Sequence, residues 1–178
     1  MQAKRYDIIA ATTPNLDLQI GILLAMMDDG TREWQEELGD VSEDQIVWQC
    51  APNLHSIGAL LLHIAEVEGW WIQTVCAGKP FELAELAAAG IEIDQYGSRW
   101  PAPPPRHQSW YYEILARVRA ATREAVSGLD PSSMRTFGSS KNEYSVLWIL
   151  THVLNHEAYH GGQAVLLKAL QATEHSNQ

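Results

Sequence analysis

The sequence predicts an all-α, antiparallel four-helix bundle, and three observations predict it. Three apolar patterns of helical period run along the chain, with a fourth nearly as clear. Strand-like alternation is almost absent. The chain has 178 residues and 46% apolar content, enough for one domain with a core of its own. We therefore read residues 1–178 as a single domain, without internal repeats or low-complexity segments.

The first helix is expected to open at Thr13-Pro14, a cap residue followed by proline at the first helical position. It carries Leu16, Ile20, Leu23, Leu24 and Met27 on one side and should fade before Gly39. The second begins near Ser56, another capping residue, and runs through Ile57, Leu60, Leu61, Ile64, Val67 and Trp71 to about Ala77. Gly78-Lys79-Pro80 stops it. A short turn of helix is expected over 82–89, then a long connection over 91–105 with Trp100 to Pro105 as a rigid extended piece. The third helix spans Gln108 to Ser127, before Gly128. The fourth starts at Tyr144 or Ser145 and continues to about Gln171, leaving a fraying polar tail. The proline segment lengthens one crossover of the bundle.

Composition excludes several classes. Lys plus Arg is 12 against 22 for Asp plus Glu, a net charge of −10. A nucleic-acid surface needs a basic stripe to displace counterions, and anionic lipid needs the same sign. Cys50 and Cys76 are too few for a disulfide framework and read as buried free thiols in a reducing compartment. The N-terminus has no apolar run behind its basic residues, and no stretch reaches the roughly eighteen apolar residues of a membrane span. A soluble, cytoplasmic protein is expected.

Seven histidines are present, and His152, His156 and His160 share the fourth helix. At ~100° per residue, positions four apart differ by only ~40°, so the three lie on one stripe beside Ile149, Gln163 and Leu167. A single histidine on an apolar face is usually a core residue with a hydrogen-bond partner. Three change the balance, because up to six ring nitrogens then need partners. Imidazoles at i and i+4 can chelate one metal, and nitrogen ligands suit Zn, Ni, Fe or Cu better than a hard cation. His63 on the second helix shares an apolar stripe with Ala59, Val67 and Trp70 and offers a third ligand. Three nitrogens would leave positions for water or substrate, as in catalytic centres.

Residues His156-Glu157-Ala158-Tyr159-His160 also spell HExxH. A peptidase is disfavoured: Gln163 and Leu166 stand where the metzincin extension needs glycine and histidine, Glu174 is a poor third ligand, and no strand edge is available for a peptide. A di-iron bundle needs Glu-x-x-His twice, and only Glu157-x-x-His160 supplies it. Gly161-Gly162-Gln163, similar to a release-factor tripeptide, lies within a helical pattern and is read as coincidence.

The stretch from Ser56 to Trp71, SIGALLLHIAEVEGWW, resembles the second-helix motif of the DinB/YfiT-like superfamily. The stretch from Leu150 to Gln163, LTHVLNHEAYHGGQ, resembles its closing-helix motif. The spacing and layout match over nearly the whole chain. The resemblance implies a four-helix bundle that binds a divalent metal through His63, His156 and His160, frequently as a homodimer. His152 matches a position often occupied by histidine but not usually counted as a ligand. Relatives include bacillithiol S-transferases and mycothiol-dependent maleylpyruvate isomerase.

The leading expectation is a metal-dependent transferase that joins a low-molecular-weight thiol to an electrophilic small molecule, the metal lowering the thiol pKa. The cofactor expected is a divalent transition metal, Zn or Ni before Fe or Mn. Glu157 and Glu66 lie at the edges of the histidine stripes, placed to orient an imidazole or accept a proton; ordinary solvated carboxylates are the plain alternative. Tyr159 is a hydrogen-bond donor or a packing ring. The rival functions are a metal-dependent small-molecule hydrolase and a non-catalytic metal-binding stress-response or structural protein. Trp70, Trp71 and Trp148 read as packing residues, with Trp70 also positioned to wall a pocket. The Trp100 to Pro105 segment reads either as a cap on the site or as part of a dimer interface.

Overall fold

The computed structural model describes residues 7–10, 15–85, 100, 102–139 and 141–176, with the side chains of 174–176 excepted. Its helices are α1 (Leu18–Leu38), α2 (Glu43–Val47), α3 (Ile57–Gly69), α4 (Gln108–Ala125) and α5 (Val146–Ser176). A π-helical segment, Trp70–Cys76, continues α3 without a break. Among the described residues the chain is all-α apart from a two-stranded antiparallel ribbon, β1 (Met134–Arg135) with β2 (Tyr144–Ser145), whose pairing the sequence did not signal. Among the described residues no helix is long and apolar enough to cross a membrane.

Local chemistry accounts for most of the boundaries. The Asp17 carboxylate accepts from the Gln19 N–H and caps α1, so the helix opens four residues later than Thr13-Pro14, which lie outside the described residues. Gly39, at φ 56°, closes it as expected. Ser42 and Gln45 form a reciprocal capping box that starts the short α2, an element the hydrophobic pattern was too brief to reveal. The Ser56 hydroxyl accepts from the Ala59 N–H and starts α3. The expected turn over 82–89 and connection over 91–105 lie mostly outside the described residues. Within them, Pro104 accepts from the Tyr111 hydroxyl at 2.5 Å, which ties the proline segment to α4.

Two apolar clusters sit one above the other, with a polar layer between them. One holds Trp34, Leu38, Ile57, Leu60, Tyr111, Leu115 and Leu167. The other holds Ile20, Leu24, Ile72, Val75, Val126, Ile149 and Val153. Between them lie Thr31, Glu68, Arg119 and Glu157, one from each long helix. α1 and α5 cross from the second cluster to the first, and α3 and α4 cross the other way. The bundle therefore has two helices in each direction, in the order up-down-down-up. The parallel neighbours α3 and α4 need a long crossover, which accounts for the length of the connection before Gln108.

α1 packs on α5, α5 on α3, and α3 on α4. The remaining seam, between α1 and α4, opens as a groove of about 730 Å³ with Arg119 and Glu157 in its lining. Asp28 bridges it, pairing with Arg119 at 3.1 Å and with Arg123. Cys76 is buried and Cys50 exposed, both as free thiols; Cys50 follows α2 in a bend that the core does not cover.

Candidate metal centre

α3 and α5 are antiparallel neighbours, and their facing stripes bring His63, His156 and His160 together. One ring nitrogen of each lies within 4.8 Å of the others. His63 and His160 are buried and His156 is half-buried. The ring centroids are 4.4–4.9 Å apart. His63 Nε2 and His156 Nε2 face each other at 3.1 Å, a contact in which two bare lone pairs would repel unless a proton or a cation lay between them.

The outer nitrogens are arranged to hold this tautomer. His160 Nδ1 donates to the Gln163 side-chain oxygen at 2.7 Å, which leaves Nε2 as a lone pair. His63 Nδ1 is buried without a hydrogen-bond partner, and Glu66 Oε2, also buried and unpartnered, stands 3.8 Å from it. A carboxylate set behind a ligand histidine is the arrangement that commonly fixes a metal ligand, and here the two atoms stop short of a hydrogen bond. Burial pushes the pKa of His156 down to about 3, reinforced by the neighbouring rings of His160, His63 and His152. Burial likewise brings His160 to about 4, against the opposing effect of its bond to Gln163. Both are neutral at pH 7, as ligation requires. Three convergent imidazoles with an orphaned buried nitrogen and carboxylate behind one of them fit a divalent transition ion.

Two rings close one side of the cluster. Trp100 is buried, with its ring 4.9 Å from His63 and 6.4 Å from His160, so this end of the proline segment covers the site. His55 leans on Trp100 with ring centroids 4.1 Å apart and 41° between planes, and its pKa is lowered by burial and then by the nearby His63. Nothing periodic in the sequence marked His55, which precedes the α3 cap. Tyr159 is exposed and lays its ring edge-on to His160 at 5.0 Å.

Glu157 faces the other way. Its Oε1 accepts from Thr31 and, at 3.3 Å, from Trp34 Nε1. Its Oε2 accepts from Arg119 at 2.5 Å. Arg119 also grips Glu68 with two bonds, at 2.8 and 3.0 Å. Burial raises the Glu157 pKa, and Arg119 opposes that rise. Burial works against the Arg119 charge as well, but Glu68 and Glu157 outweigh it and hold the guanidinium firmly protonated. Glu157 thus belongs to the layer that joins the four long helices. Gly161 is explained by the same packing: a Cβ there would lie 2.6 Å from the Trp34 ring.

His152 is half-buried, 6.2 Å from His156 between ring centroids. Its nearer partners are Trp148, stacked at 5.0 Å with 6° between planes, and Trp71 at 5.2 Å. Trp70 packs on Trp71 and Phe137, so Trp71, rather than the expected Trp70, meets the histidine row. The π-helical register at Trp70 explains the change, because a stripe projected at 3.6 residues per turn no longer holds there.

Residues 22–172 match the family model described as Mycothiol-S-transferase. Among solved structures, a conserved protein from Enterococcus faecalis is similar, with a TM-score of 0.64 and 16% identity. The match covers 84% of this chain and 94% of that one, and at this identity it shows the fold alone. A comparison with curated proteins gave no match.

Proposed function

The chain belongs to the mycothiol S-transferase family, a DinB/YfiT-like family, and from that premise we propose that it is a metal-dependent transferase joining a low-molecular-weight thiol to an electrophilic small molecule. The observation that carries this reading is the convergence of His63, His156 and His160 at the α3–α5 seam.

These three imidazoles would hold the ion, with His156 and His160 kept uncharged by burial and the Gln163 bond holding His160 in the tautomer that leaves Nε2 free. A divalent transition ion, Zn or Ni before Fe or Mn, supplies the positive charge that favours thiolate over thiol at neutral pH. Glu66, 3.8 Å from His63 Nδ1, is placed to orient that ring. Trp100 and His55 exclude water from one side of the site. The attacking sulfur forms a bond to the electrophilic carbon, the leaving group departs with the bonding pair, and the thiol proton goes to solvent. Glu157, both of whose oxygens are engaged by Arg119, Thr31 and Trp34, acts in this reading by fixing α5 between its two ligands.

The whole chain works as one domain, in a compartment where such thiols are kept reduced, and its net charge of −10 leaves nucleic acid without a docking surface. A homodimer is supported by the outer face of the second half of α5. Tyr159, Gly162, Leu166 and Leu170 are exposed there without a charge among them, so two acidic copies can meet without facing carboxylates. Sedimentation of the wild type and of Leu166→Asp tests this, with a shift to monomer expected in the variant.

The activity is tested with purified, metal-loaded protein, mycothiol and a chlorodinitrobenzene-type electrophile. The expected result is a thiol-dependent rate that disappears in His160→Ala. Absence of such a rate across several thiols and metals contradicts the proposal, and a thiol-independent hydrolysis would replace it with the hydrolase reading.

A further inference from the structure

The row Trp148, His152, His156, His160 on α5 climbs from solvent into the protein. Each step of four residues turns ~40° around the helix, so the row winds slowly about α5. Trp148 is 45% exposed and His160 only 8%, with His152 and His156 between them. The row is therefore a ramp from the surface to the candidate metal centre.

Across the seam, the π-helical segment brings Trp71 against this ramp. Its ring lies 5.2 Å from His152 and 5.7 Å from Trp148. Tyr144 and Phe137, from the ribbon region, border the outer end. Tyr144 is 4.9 Å from Trp148, and Phe137 is stacked on Tyr144 at 5.8 Å. π turns of this kind recur at functional sites because they re-aim side chains that regular helix would bury elsewhere. All these rings other than Trp148 are half-buried, and apart from the His152 imidazole no acidic or basic side chain is among them. A sugar or a charged group bound there would find few hydrogen-bond partners, whereas a flat apolar ring finds several faces and edges.

We propose that the platform of Trp71, Trp148 and His152, bounded by Tyr144 and Phe137, binds the electrophile, and that it selects flat aromatic electrophiles bearing a leaving group. This inference rests on the transferase reading of the adjoining centre. In the reaction it describes, the thiol sulfur bonds to the ring carbon that carries the leaving group. The carbon–halogen bond of an aryl halide breaks, halide leaves with the electron pair, and the thiol proton passes to solvent.

Two measurements test it, on the full chain. The first is calorimetric binding of 2,4-dinitroaniline, a flat analogue with no halide to lose, to wild type, Trp148→Ala and Trp148→Phe. Loss of one good ring contact is worth up to about tenfold in affinity, so Trp148→Ala should weaken binding by about that factor and Trp148→Phe should restore most of it. The second compares KM for chlorodinitrobenzene with KM for iodoacetamide, which has no ring. KM for the aryl halide should rise in Trp148→Ala with kcat nearly unchanged, and KM for iodoacetamide should stay put. Probe binding that depends on Trp148 in a protein without turnover supports the platform while the transferase reading fails. Turnover with equal effects on both electrophiles, probe binding indifferent to Trp148, or displacement of the probe by mycothiol overturns the platform.

Discussion

Replacing Arg119 by Met is the perturbation whose cost follows most directly from the polar layer. The guanidinium is 11% exposed, and the Glu68 and Glu157 side chains it pairs with are 2% and 4% exposed. It makes two bonds to Glu68 and one to Glu157, and a further one to the half-exposed Asp28, which we discount for solvent screening. Removing the cation leaves two buried carboxylates without their partner, and breaking a buried pair in this way typically costs about 3–5 kcal/mol. Against the roughly 5–15 kcal/mol that holds an ordinary domain folded, that is a large fraction. Urea denaturation at pH 7, followed by circular dichroism, should show a much lower midpoint with an unchanged slope. Adding Glu68→Gln and Glu157→Gln should recover most of the loss, since no ionised carboxylate then stays buried without a partner. An Arg119→Met variant within about 1 kcal/mol of wild type, or a triple variant no better than the single one, would refute the reasoning.

Three further outcomes follow from the geometry. Gly161→Ala drives a methyl group into the Trp34 ring at 2.6–3.0 Å and should destabilise the α1–α5 contact by about 1–3 kcal/mol, read from the same denaturation curves. Metal-free protein should lose stability as the pH falls below about 6.5. There the unfolded chain takes up protons at positions 156 and 160, whereas the folded chain resists them until about pH 3 and 4, so the unfolded state binds more protons; melting temperatures between pH 7 and 4.5 check the sign. Glu66→Gln should weaken divalent-ion binding by about 10–100-fold in a competition titration with a chelating dye, while leaving the fold intact.

Much of this architecture was legible in the residues. Ser56 and Gly39 mark helix ends because their chemistry acts within one turn, and both were readable as such. The histidine stripes were readable because α3 and α5 keep regular period around His63, His156 and His160. What escaped depends on contacts distant in sequence. The π segment begins where Gly69 meets the Phe81 ring, with a Cβ there only 2.2 Å from it, and no local breaker announces this. Glu157 carries a motif that suggests chemistry at a metal, yet its partners Arg119, Thr31 and Trp34 sit on two other helices. The α1 start falls at Asp17, whose carboxylate makes the cap bond to the Gln19 N–H. The covering role of Trp100 was one of two readings, and its ring contacts with His63 and His160 favour the cap.

The central claim is that imidazoles from α3 and α5 share one ion. Elemental analysis of the native protein, repeated on His63→Ala and His160→Ala variants of unchanged helicity, tests it most directly. We predict one divalent transition ion per chain in the wild type and a severe loss in both variants. A wild-type protein that takes up none after incubation with Zn, Ni, Fe or Mn, or variants that retain the full complement, would contradict it.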